Sequence, residues 1–116
     1  MAEKIVKIGD KDVKFKVTGQ TPLMYMAMFT GSDFLKDFMT IEKAQAKGEA
    51  LESLTFYKIA YCLAKKGDSE IPNIDEWLES FEDGFPVFEV FSELMPLIQL
   101  NFTTTKKKTT RKTTKK

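Results

Sequence analysis

Apolar and polar residues alternate from Lys4 to Val17. Val6 and Ile8 flank Lys7, and Val13, Phe15 and Val17 are separated by Lys14 and Lys16. A period of two is that of a half-buried strand. The stretch Gly9–Asp12 supplies turn chemistry between the two runs, so Lys4–Val17 is predicted to form a β-hairpin with its lysines in water. A lone hairpin is marginal in water. Its apolar face must pack on helices or add to a neighbour's sheet.

The period then lengthens. Thr21 is a predicted N-cap and Pro22 suits the first helical position. Leu23, Met24, Met26, Met28 and Phe29 cover much of the helix that follows. Gly31 breaks it, and Ser32 or Asp33 caps a second helix whose stripe is Phe34, Leu35, Phe38 and Met39. The polar stretch "EKAQAKGEA" predicts a loop or weak helix centred on Gly48. The clearest helix is Leu51–Gly67. Leu51, Leu54, Ile59, Cys62 and Leu63 follow helical spacing, Phe56, Tyr57, Ala60 and Tyr61 widen the face, and this helix is expected at the centre. Lys65 and Lys66 favour the C-terminal end of the dipole, and Gly67 is a suitable stop. Asn73 and Glu76 have capping-box spacing before Ile74, Trp77, Leu78 and Phe81, and Gly84 is expected to end that helix. The last helix, Phe85 to Phe102 with Pro86 near its start, contains Pro96, which is expected to kink or end it. The predicted fold class is therefore α+β, mostly α: an N-terminal hairpin, then a bundle of four to five helices over residues 1–102. After Phe102 only Thr, Lys and Arg remain, and residues 103–116 are read as a disordered basic tail or linker.

Two segments, Leu23–Phe29 and Val87–Ile98, hold more apolar residues than one core-facing stripe needs. Either both are buried all round, or part of each meets another chain. Methionine adapts to irregular apolar partners. Met24, Met28, Phe88, Phe91, Leu94 and Met95 are the candidates for client binding or self-association.

Composition narrows the chemistry. The chain has 116 residues and ten Phe, enough for one core. It has no His, which removes the commonest general base and metal ligand. No Gly-rich phosphate loop is present, and the carboxylates sit on what read as solvated helix faces. No catalytic residue, metal ligand or cofactor is assigned, and an enzyme is not expected. The single Cys62 fits a reducing compartment. With no apolar run long enough for a membrane and no signal-peptide pattern, a soluble cytoplasmic protein is expected. The net charge of +1 conceals segregation: residues 1–102 carry 11 Lys+Arg against 17 Asp+Glu, a net −6, whereas the tail carries seven basic residues and no acid. Those seven are Lys106, Lys107, Lys108, Arg111, Lys112, Lys115 and Lys116.

The order of these segments resembles a family. "KIVKIGDKDVKFKVTGQTPLMYMAMFTGSDFLK" leads from hairpin to helix through a Thr-Pro step, followed by "FYKIAYCLAKKG", "NIDEWLESF" and "PVFEVFSELMPLIQLNF". This layout, over about residues 4–102, is similar to the tail assembly chaperones of long-tailed (siphovirus-type) phages and prophages of Gram-positive bacteria. The resemblance implies a non-enzymatic protein of the infected or lysogenic host cytoplasm, not expected in the mature virion. It implies a homo-oligomer that binds the tape measure protein, keeps it soluble and supports tail tube assembly. It also implies a longer product, made by a −1 ribosomal frameshift, through which tail tube protein would be contacted. Slippage needs a run such as A-AAA-AAG, which Thr105-Lys106-Lys107 or Thr114-Lys115-Lys116 can encode.

The alternative is a nucleic-acid-binding accessory protein that uses the tail. Seven phosphate contacts would give a log–log salt slope of about −6. The tail has no aromatic residue for stacking and one Arg for base readout, and the acidic body repels a duplex. Nucleic acid is therefore not the expected partner. A third use of the tail is to fold back on the acidic 67–105 region, within a root-mean-square reach of about 20 Å.

Overall fold

The computed structural model describes residues 2–48 and 53–102. Strands β1 (Ala2–Ile8) and β2 (Lys11–Val17) pair antiparallel in register Ile8↔Lys11 to Ala2↔Val17. Helices α1 (Thr21–Met28), α2 (Phe34–Lys47), α3 (Ser53–Gly67), α4 (Ile74–Glu79) and α5 (Val87–Phe102) follow. The fold class read from the sequence is the one observed.

The two strands are joined by Gly9 and Asp10 alone, and Gly9 takes φ +63°, a conformation that glycine adopts without Cβ strain. Ile8, Phe15 and Val17 are buried on one face of the hairpin, while Ile5, Lys7 and Lys14 are exposed on the other. The buried face lies against α3 and α5.

Helix α3 is the centre of the molecule. Ile59, Ala60, Tyr61, Cys62, Leu63 and Ala64 are all buried in one unbroken run, so α3 is surrounded on most sides. Leu51, expected to open its stripe, lies outside the described residues. Helix α3 ends at Gly67, as expected, and Gly67 has a second role. A Cβ built there would lie 2.9 Å from the carbonyl carbon of Lys14 and closer still to its oxygen. The last turn of α3 therefore sits directly on the backbone of β2, and only a residue without a side chain fits. Lys65 and Lys66 also do more than meet the helix dipole. Lys65 Nζ donates to the carbonyls of Ser69 (3.0 Å) and Ile71 (2.8 Å), and Lys66 Nζ donates to Gln20 Oε1 (2.6 Å).

The outer helices dock through aromatics. Trp77 of α4 stacks edge-on against Tyr61 (5.5 Å between centroids) and Phe81 (5.1 Å). The Tyr61 hydroxyl donates to Pro72 O at 2.6 Å and ties the α3–α4 loop to α3. Helix α5 buries Val90, Phe91, Leu94 and Ile98, a single helical stripe, and Phe91 meets Phe56 of α3 at 4.9 Å. Pro96 neither ends nor interrupts this helix; it lies on the exposed side, where the carbonyl it leaves unbonded can face water.

Local chemistry sets the helix ends, with three corrections to expectation. Helix α1 begins at Thr21 itself, after Gln20, and the Thr21 hydroxyl reaches back to accept from Thr18 N (2.9 Å) instead of capping forward. Helix α2 runs through the polar stretch to Lys47, because Ile41 and Ala44 continue the buried row of Phe34 and Phe38; Gly48 then closes it at φ +69°. Helix α4 stops at Glu79, five residues before Gly84. The two acceptor caps are as expected: Asp33 Oδ1 takes the Leu35 and Lys36 amides, and Asn73 Oδ1 takes the Glu76 amide. Among the described residues no helix is long and apolar enough to cross a membrane.

Candidate interaction surface

The six apolar candidates divide sharply. Phe91 and Leu94 are wholly buried, so they are core and not surface. Their inward position follows from the row Val90, Phe91, Leu94, Ile98, which faces α3 and the hairpin. Met24, Met28 and Met95 are half-buried and pack against that core. Phe88 alone projects, at 74% exposure, with its ring edge-on to Phe56 at 5.8 Å. The tail residues Lys106, Lys107, Lys108, Arg111, Lys112, Lys115 and Lys116, and both Thr-Lys-Lys triplets, lie outside the described residues.

Other apolar residues form the outer surface instead. On α1, Tyr25 is buried and Leu23 and Met26 are exposed, at 63% and 50%. They stand three apart and share a face. On α2, Leu35 and Met39 stand four apart and are both exposed. Each helix thus carries an exposed pair of large apolar side chains outside the core. Sequence reasoning missed Leu23 and Met26 as the outward pair because α1 is apolar all round. Tyr25 marks the inward side only through a partner that lies on another helix.

That partner is Asp37 of α2. The Tyr25 hydroxyl donates to Asp37 Oδ2 at 2.6 Å, tying α1 to α2. Burial raises the Tyr25 pKa above its ordinary value, and the Asp37 bond and charge raise it further. Lys58 Nζ donates to Ser32 Oγ at 2.6 Å and stands 5.7 Å from the Tyr25 ring centre and 5.5 Å from that of Phe29. Behind this layer, burial pushes the Cys62 thiol up to about 12, against a smaller opposing pull from Lys66. Tyr25 and Cys62 are therefore protonated at neutral pH and serve as a donor and a small packed group. Among the described residues no group of three or more His, Cys, Asp or Glu is placed to hold a metal ion.

Two grooves flank the hairpin. One, of about 530 Å³, runs between β2, the end of α3 and α4. The other, of about 330 Å³, lies between the start of β1 and α5, beside the Lys4–Glu93 ion pair (2.8 Å). No protein-family model, curated protein or solved structure matches this chain.

Proposed function

We propose that the protein is a phage tail assembly chaperone that holds the tape measure protein in solution until the tail tube forms around it. The observation that carries the reading is the pair of apolar surfaces on α1 and α2, Leu23 with Met26 and Leu35 with Met39. A long helical client carries apolar residues in repeating rows and aggregates when they are uncovered. Two rigidly packed helices offering Leu and Met side chains can cover one such row, and the acidic body keeps the complex soluble. The sequence layout described above supports the same reading, as does the exposed Phe88 at the start of α5.

Co-expression with the long helical tail protein encoded beside this gene tests it. The wild type is expected to keep the client soluble and to co-purify with it. A Leu23→Glu, Met26→Glu variant is expected to retain its circular dichroism and lose the client. A client that is equally insoluble with and without the chaperone overturns the reading. Submicromolar, tail-dependent DNA binding at physiological salt, with no client capture, favours the nucleic-acid alternative instead.

A further inference from the structure

Among the described residues the sheet has two strands, so each keeps one edge that no strand pairs. Antiparallel pairs alternate between residues that exchange hydrogen bonds with the partner strand and residues whose N–H and C=O point away from it. The two-residue turn makes Ile8↔Lys11 a bonded pair, and Val6↔Val13 is the next. Asp12 and Lys14 therefore turn their backbone groups outward, away from β1. The contact at Gly67 agrees with this: the Lys14 carbonyl points directly at the end of α3. That contact closes the edge beyond Lys14. Before it, Asp12 N–H, Asp12 C=O and Lys14 N–H open into the groove, and among the described residues no hydrogen bond takes them up.

The opposite wall is apolar and fixed. Ile71, Pro72, Trp77 and Phe81 line it, and the Tyr61 and Lys65 bonds hold its loop in place. The groove continues past Lys11, Ser80 and Phe81 into a smaller one of about 210 Å³ beside Gly9 and Glu82. The residues lining both include five carboxylates, Asp10, Asp12, Asp68, Glu82 and Asp83, against two lysines, Lys11 and Lys14. Lys14 Nζ lies 3.9 Å from Glu3 and Asp12 Oδ1 lies 3.8 Å from Lys7, whereas Lys11 Nζ stays in the groove, over the Phe81 ring at 5.2 Å; four carboxylates against one lysine remain.

We propose that this groove binds an extended segment of another protein that alternates apolar and basic residues, added as a third strand along the open edge of β2. The edge supplies main-chain hydrogen bonds, the apolar wall takes every second side chain, and the carboxylates select lysine or arginine at the rim. The chain's own residues 103–116 match the charge but have no apolar side chain for the wall. The site is separate from the α1–α2 surface and does not depend on the chaperone reading.

The probe is an acetylated peptide of about seven residues alternating lysine and valine, titrated into the full chain by amide-resolved NMR with hydrogen exchange. The amides of Asp12 and Lys14 are expected to exchange freely in the unbound protein and to slow at least tenfold at saturation. Asp12→Pro removes an N–H that the hairpin does not use and is expected to weaken binding at least tenfold. Glu82→Lys with Asp83→Lys is expected to weaken it and flatten its salt dependence. The proposal is overturned if the wild-type Asp12 and Lys14 amides are unchanged at saturation, or if a glutamate–valine peptide binds equally well. It is also overturned if the 103–116 peptide binds as tightly, since charge alone would then suffice. Protection of both amides in the free protein that disappears on dilution would assign the edge to a second copy and overturn it as well.

Discussion

At the scale of single residues, position decides whether a side chain is structure or surface. Gly67 is the sharpest case. The sequence offers it as a helix stop, which it is, and it is also held by the Lys14 backbone beneath it, a contact between residues far apart in the chain that no local pattern contains. Gly67→Ala is expected to destabilise the protein by about 1–3 kcal/mol, the usual cost of forcing extra volume into a packed contact. The displaced neighbour is backbone, so the upper end is expected. Chemical denaturation of the two proteins measures it, and an unchanged midpoint would mean that α3 does not rest on β2. Tyr25 shows the converse. Its hydroxyl identifies the inward side of α1 only once Asp37 is known to stand beside it.

At the scale of elements, the sequence was most legible where one short stretch carries both pattern and punctuation. The hairpin follows from alternation and Gly9, α3 from its unbroken apolar spacing, and the starts of α2 and α4 from Asp33 and Asn73. Legibility failed where the deciding partner is remote. The polar end of α2 is helical because Ile41 and Ala44 find the core, and Pro96 is tolerated because its side of α5 faces out. On α1 and α5 the helix type was readable and the facing was not, since an all-round apolar helix has no polar side to mark. One helix thus holds neighbouring phenylalanines of opposite role. Phe91→Ala is expected to cost about 3–5 kcal/mol by opening a cavity. Phe88→Ala is expected to cost far less than Phe91→Ala, and on the proposed function to act mainly on client capture. Thermal unfolding of both variants checks the assignment, and equal losses would refute it.

At the scale of the whole molecule, stability is tied to protons held in the interior. Tyr25 and Cys62 both have folded pKa values raised, first of all by burial. A group whose folded pKa is raised contributes stability that is complete below its unfolded pKa and is lost as pH rises towards the folded one. The loss is therefore expected to begin near pH 9 with Cys62 and to steepen above pH 10 as Tyr25 joins it. The slope approaches about 1.4 kcal/mol per pH unit for each group. Unfolding followed from pH 7 to 11 tests this, and Cys62→Ala is expected to delay the onset by removing the first component. A flat profile to pH 11 would show that neither proton is held by the fold.

The chain has one tryptophan, and the fold places it in the wall of the open groove, against Tyr61, Phe81 and Phe85. Light absorbed at the red edge of the protein band is therefore emitted from one known place. Its colour reports the wetness of the α3–α4 seam, so occupancy of the groove and detachment of α4 can be watched optically in the unlabelled protein.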